Sequence, residues 1–150
     1  YDLGTVLLDN GNLNEAVTQL SIAVELKPDF APSQQNLAIA FAQKGNLSEA
    51  IVHFAKAAKL QPNDISIRFN FGLALLNDHQ PAAAAAQFSA ELRLAPDQTA
   101  AHFRLAQALQ QQNQLADAVS HYRQALRLKP NFPEVEKALD AILAAHPELR

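Results

Sequence analysis

Four prolines recur at one interval: Pro28, Pro62, Pro96 and Pro130 are each separated by 34 residues. A fixed period of that size means an array of small units, and it constrains the fold more tightly than any local propensity. Each proline closes a leucine-bearing segment: Glu25-Leu26-Lys27, Lys59-Leu60-Gln61, Arg93-Leu94-Ala95 and Arg127-Leu128-Lys129. Other columns keep the same frame. Ala16, Ala50, Ala84 and Ala118 align, as do Leu20, Phe54, Phe88 and Tyr122. Leu3, Leu37, Phe71 and Leu105 form another column, followed by Gly4, Ala38, Gly72 and Ala106, and then by Leu7, Phe41, Leu75 and Leu109.

The stretch 31–64 shows what one unit is. Leu37, Ala38 and Phe41 are spaced as one face of a helix. Lys44-Gly45-Asn46 interrupts it, with Gly45 available for a left-handed residue after the helix end. Leu47, Ala50, Ile51, Phe54, Ala57 and Ala58 then form a second apolar stripe at helical spacing. Pro62 cannot continue that helix and biases Gln61 away from helical backbone. The unit is therefore helix, tight turn, helix, stop. Alanine in the Ala50 and Ala57 columns lets the two helices approach, and Phe54 fills the space beside them. Neither helix buries its stripe alone, so the units must stack. Alanine (29 residues) and leucine (22) dominate the composition, which favours helix over strand throughout.

The 34-residue period, the paired small residues, the large aromatic and the closing proline resemble the tetratricopeptide repeat (TPR) family. The resemblance implies an all-α, right-handed α-solenoid of about four helix-turn-helix units in a single domain, 1–150. The units are read as 1–30 (partial), 31–64, 65–98 and 99–132. Pro133, with Val135, Leu139, Ile142 and Leu143 on one face, predicts a capping helix over 133–146 that covers the last repeat. That end of the chain is read as native. Tyr1 is read as lying inside a helix, so further repeats or another domain are expected upstream.

The third unit departs from the frame. The turn column reads Gly11, Gly45, His79, Asn113, and histidine takes left-handed backbone less readily than asparagine or glycine. Pro81 replaces a leucine. Glu91 stands where the other units hold Ala23, Ala57 and Ala125. A carboxylate there is costly unless it is paired or tilted out, and His102, Arg68 and Arg93 are the candidate partners.

Several classes of chemistry are excluded. There is no cysteine, so disulfides, thiolate catalysis and Cys-ligated zinc are absent. Twelve basic against fifteen acidic residues give a net charge of −3, with no basic footprint for nucleic acid. No apolar run is long enough to span a membrane. The four glycines lie far apart, so no phosphate-binding loop exists, and no hydrolase or zinc-protease motif is present. His53 and His121 share a column two repeats apart, too far for one metal, and His102 is expected to pack or to face water. Asn46-Leu47-Ser48 matches a glycosylation sequon but reads as a repeat turn. No cofactor, metal or catalytic group is expected. The expected setting is soluble, cytoplasmic or periplasmic, with a composition of bacterial character.

The remaining chemistry lies on the first helices, which in TPR proteins line a concave face. Beside the core stripe these helices carry Gln35, Asn36, Ile39 and Gln43 in the second unit, Phe69, Asn70, Leu73 and Asn77 in the third, and Phe103, Arg104, Gln107 and Gln111 in the fourth. The first unit supplies Tyr1, Asp2, Thr5 and Asp9. Asn36 and Asn70 recur one repeat apart, and an amide offers both a donor and an acceptor to the backbone of an extended peptide. They resemble the asparagine ladder of the TPR superhelix in O-linked N-acetylglucosamine transferase, broken here by Asp2 and Arg104. Phe69, Phe103, Ile39 and Leu73 are expected to meet a ligand's apolar side chains, and Arg104 an acidic group, with Gln35 and Gln107 beside them. The basic clamp of chaperone-binding TPR domains is missing, because its lysine columns hold Tyr1, Gln35, Phe69 and Phe103. The expected function is therefore a non-catalytic scaffold that binds an extended or short helical protein segment. Two other readings are carried forward: a regulatory or substrate-selecting part of a larger enzyme such as a glycosyltransferase, and self-assembly through the solenoid ends.

Overall fold

The computed structural model describes all 150 residues, Tyr1–Arg150. It contains nine α-helices and no strand: α1 (Asp2–Asp9), α2 (Leu13–Leu26), α3 (Ala31–Gln43), α4 (Leu47–Leu60), α5 (Ile65–Asn77), α6 (Pro81–Leu94), α7 (Thr99–Gln111), α8 (Leu115–Leu128) and α9 (Pro133–Ala145). A single 3₁₀ turn, Pro147–Leu149, follows. Each helix packs on the next in chain order. The odd-numbered helices α1, α3, α5 and α7 also touch one another in succession, and no pair of even-numbered helices makes comparable contact. The chain is thus a helical solenoid with its first helices drawn together on one face.

The turns inside the four helix pairs are the same physical object. Gly11, Gly45, His79 and Asn113 all take left-handed backbone, with φ of 76°, 82°, 56° and 59°. In the second unit the Gly45 N–H donates to the Ala42 carbonyl at 3.0 Å and the Asn46 N–H to the Phe41 carbonyl at 2.9 Å. This doubly bonded helix end satisfies carbonyls that the helix would otherwise leave open. His79 and Asn113 form it with side chains attached. The residues before the four prolines, Lys27, Gln61, Ala95 and Lys129, lie at φ −129° to −142° with ψ near 80–90°, outside helical space.

There is no single core. Buried clusters of about three helices each are strung along the chain. Leu8, Leu20 and Leu37 join α1, α2 and α3; Ala38, Phe54 and Ala74 join α3, α4 and α5. Leu75, Phe88 and Leu105 join α5, α6 and α7; Ala106, Tyr122 and Val135 join α7, α8 and α9. α9 therefore closes the last cluster with the apolar face read from the sequence. At the other end the frame is incomplete. Leu3 and Val6 are more than half exposed, whereas their column-mates Leu37, Ala40, Leu105 and Ala108 are buried by the second helix of the preceding unit.

A polar clasp also repeats. Gln34, Arg68 and His102 occupy one column, and each donates to the carbonyl of the proline six residues earlier, at 2.8–3.0 Å. Each also reaches the second helix of its own unit, 19 residues on. Gln34 meets His53 at 2.8 Å, Arg68 meets Gln87 at 2.8 Å, and His102 meets His121 at 2.9 Å. One side chain thus ties the inter-repeat turn to both helices of the unit that follows it.

Candidate functional site

The first-helix face carries two hollows. One lies between α3 and α5, with a volume of about 290 Å³, and is lined by Ile39 and Gln43 from α3 and by Asn70, Leu73 and Asn77 from α5, over Phe54. The other, of about 500 Å³, lies between α5, α7 and α9. Phe69, Phe103 and Phe132 form its floor, and Arg104, Gln107 and Glu134 stand at its edges. Seven of the nine residues read from the sequence line these hollows: Ile39, Asn70 and Leu73 the first, and Phe69, Phe103, Arg104 and Gln107 the second.

The other two are engaged between helices. The Asn36 amide donates to Thr5 Oγ1 at 3.0 Å and to the Tyr1 hydroxyl at 3.4 Å, so it bridges α3 to the first unit. Gln35 donates to Ser66 Oγ at 3.1 Å and links α3 to α5. Asn36 and Asn70 therefore do not form equal rungs of a ladder. Asn70 is half-buried and makes no hydrogen bond within the chain, so both halves of its amide remain to be satisfied from outside.

The aromatic floor is rigid because each ring is itself packed. Phe69 meets Phe88 edge-on at 5.9 Å between centroids. Phe103 lies between Phe132 at 5.1 Å and Tyr122 at 6.2 Å. Tyr122 is buried and donates to Gln110 Oε1 at 2.8 Å, and burial pushes its phenol up to about 12. The Arg104 guanidinium lies 5.1 Å from the Phe103 centroid and donates to Gln107 Oε1 at 2.9 Å. It makes no ion pair, since the one ion pair in the chain is His146–Glu148. Glu134 shares its hollow without reaching it. A cation over an aromatic surface, with donors still open, is suited to a carboxylate attached to something apolar.

From the cap helix the sequence offers Lys137 as a candidate addition to Arg104, but the residues that reach the face are others. Phe132, Glu134 and Ala138 complete the larger hollow. The signal was available in the 34-residue frame. Phe30 and Phe132 share a column, as do Tyr1 and Phe103, and the pairs Tyr1–Phe30 and Phe103–Phe132 are both in contact, with centroids 5.2 and 5.1 Å apart.

Glu91 corrects the sequence reading more sharply. It is only 4% exposed, and its Oε2 has no hydrogen-bond partner. Arg68 and His102, named as candidate partners, are committed to the proline carbonyls and the second helices, and Arg93 is exposed. The carboxyl is neither paired nor tilted out. Burial alone raises it to about 7. By register it lies opposite Ala101, where the preceding unit sets Ala57 against Ile67, so the longer residue has changed sides. The His102 ring, expected to pack or to face water, packs on His121 and is also hydrogen-bonded to it.

Two family models, both of the tetratricopeptide repeat, match the sequence, one over residues 1–65 and one over 99–132. The stretch between them is the irregular unit with His79, Pro81 and Glu91. No curated protein matches the chain. Among solved structures, MamA 41-end from Desulfovibrio magneticus RS-1 superposes with a TM-score of 0.92 at 22% identity, over 99% of this chain and 84% of that one. YrrB, described as a TPR protein with an unusual peptide-binding site, superposes with a TM-score of 0.89 at 20% identity, over 99% of this chain and 76% of its own. At these identities the likeness is one of fold.

Proposed function

The chain belongs to the tetratricopeptide repeat family, and from that premise we propose that it is a protein-interaction scaffold whose first-helix face holds an extended or short helical peptide segment. The observation that carries the reading is the row of open groups on that face. Asn70 has an unpaired amide, Arg104 has no counter-ion, and Phe69, Phe103 and Phe132 present ring surface in a hollow large enough for a side chain. Asn70 would bond the ligand backbone, the phenylalanines would take an apolar side chain, and Arg104 would select a neighbouring carboxylate. The peptide-binding site named for YrrB agrees with such a use of the fold. No helix is long and apolar enough to cross a membrane.

Selection from a randomised peptide library tests this. The wild type is expected to enrich peptides that pair an apolar residue with an acidic one. Asn70→Ala and Arg104→Gln should each lose them while staying folded. Asn36→Ala, which removes only an inter-helix bridge, should keep them. Enriched peptides that bind both site variants as well as the wild type would sink the reading.

A second reading has its own observation. Leu3 and Val6 form an apolar face on α1 with no helix over it, in columns whose later members Leu37, Ala40, Ala74, Leu105 and Ala108 are buried. Self-association through this end predicts a mass that rises with concentration in light scattering and returns to monomer in Leu3→Lys, Val6→Lys. A strictly monomeric wild type refutes it.

A further inference from the structure

The clasp column performs one task with three chemistries, and only in the fourth unit are both arms imidazoles. The hydrogens in that pair can be assigned. The Pro96 carbonyl only accepts, so His102 Nε2, 2.9 Å away, carries a proton. In the neutral ring His102 Nδ1 is then an acceptor, and His121 Nδ1, 2.9 Å away, must donate to it. The rings lie stacked with centroids 5.2 Å apart. His121 Nε2 makes no hydrogen bond. One added proton settles there and leaves both bonds intact. A second has only His102 Nδ1 to occupy. It sets two N–H groups head-on across 2.9 Å, between two charged rings.

We propose that His102 and His121 form a proton-operated latch, closed when neutral or singly protonated and forced open by the second proton, which frees α7 from α8 at the Pro96 turn. The consequence reaches the binding face, because Phe103 and Arg104 follow His102 on α7 and form one side of the larger hollow. The clasps of the other units lack this property. In the second unit His53 donates to the Gln34 carbonyl oxygen, a bond that an imidazolium also makes, although burial, and after it Lys56, holds His53 below its ordinary value. In the third, a permanent cation on Arg68 donates to a neutral amide.

The groups around the latch set the direction. Burial is the main cause holding His121 below its ordinary 6.5, and the facing His102 on α7 adds to it. Asp117, one turn earlier on α8, opposes both by favouring the charged ring, and Glu91 on α6, opposite Ala101 beside His102, is protonated on the acid side of about 7. A base whose folded pKa lies below its unfolded one gives stability that is complete above the unfolded value and is lost as pH falls through the folded one. His121 takes the first proton, which leaves the latch closed, so the second proton, which opens it, binds at lower pH still, on the acid side of that lowered value.

Amide hydrogen exchange, corrected for intrinsic rates and followed from pH 7.5 to 4.5, tests the latch within one molecule. Protection in α7 and α8 should fall against α3 and α4, with a slope approaching about tenfold per pH unit, the signature of one extra proton taken up on opening. His102→Gln copies the second unit's clasp and should remove the excess loss. His102→Arg, His121→Gln copies the third unit's clasp and should do the same, so the test does not hang on one variant. Equal loss in the two helix pairs of the wild type overturns the latch. So does an excess loss that persists in both variants.

Discussion

Replacing Glu91 by glutamine keeps its shape and removes its titration, and the effect on stability should change with pH in one direction. The carboxyl is held near pKa 7 by burial, against an ordinary 4.5. Between those values the unfolded chain releases the proton and the folded chain keeps it, so stability falls as pH rises through the window. At 1.36 kcal/mol per pH unit the full effect above pH 7 is about 3 kcal/mol, an upper bound set by complete retention of the burial. That is a large fraction of the net stability of a domain of this size. Urea unfolding of wild type and Glu91→Gln at half-unit steps from pH 4 to 9 isolates this group, since the two proteins share every other titrating residue. The two should lie within about 1 kcal/mol of each other at pH 4, where both side chains are neutral and bury similar polar groups. The variant should gain from pH 4.5 upward and level off above pH 7 to 8. A difference independent of pH, or a wild type that gains on the variant as pH rises, would refute the assignment of a neutral buried acid.

Three further substitutions test the frame. A Cβ on Gly72 would stand 2.6 Å from the Phe88 ring, which Phe69 holds from another side, so Gly72→Ala should destabilise by roughly 1–3 kcal/mol despite a gain of about 1 in helix propensity; a more stable variant in thermal melts counts against the packing described. Arg68→Ala leaves the Pro62 carbonyl and Gln87 unpaired and should cost about 1–3 kcal/mol in urea unfolding, with Arg68→Gln recovering part of it because glutamine serves the same position in the second unit. Asp64 is the one helix-start residue whose side chain bonds its own helix, accepting from the Ile67 N–H at 3.0 Å; Asp64→Ala should cost about 1 kcal/mol in the same assay, and no change would mean that the cap is idle.

The helix pairs and the capping helix were legible in the sequence because each rests on signals that agree. Proline marks the stop, an apolar stripe the helix, and a left-handed residue the turn. Even His79 obeys, because the helix-end bonds around it are worth more than the strain of its φ. What escaped was the polar chemistry. Gln34, Arg68 and His102 share a column and a geometry but no residue type, so a search for repeated identities passes over them. They are found only by asking where the proline carbonyls find their donors. The same blindness offered Glu91 partners that are engaged elsewhere. Its surroundings depend on Ala101 and on the prior engagement of Arg68 and His102, none of which its own column reveals. Asn36 and Asn70 show the converse. They are identical residues one repeat apart, yet the first unit offers Thr5 and Tyr1 to the first and α3 offers nothing to the second.

These cases share one cause. The 34-residue frame fixes backbone and core, because those depend on residue size and on turn geometry, which every unit must satisfy alike. It leaves free the side chains that face the neighbouring unit or the open groove, because the identity of the neighbour changes at each step. Function in such a chain gathers where the frame is obeyed by the backbone and varied by the side chains. Here that means the third and fourth units and the start of the cap. Asn70, Phe103, Arg104 and Phe132 line the open face there, and Glu91 and the His102–His121 pair lie in those units; His121 shares its column with His53, but only in the fourth unit does a second imidazole face it. A graft that carries units three and four with α9 should therefore transfer both the ligand preference and the pH response. A graft of units one and two should transfer neither.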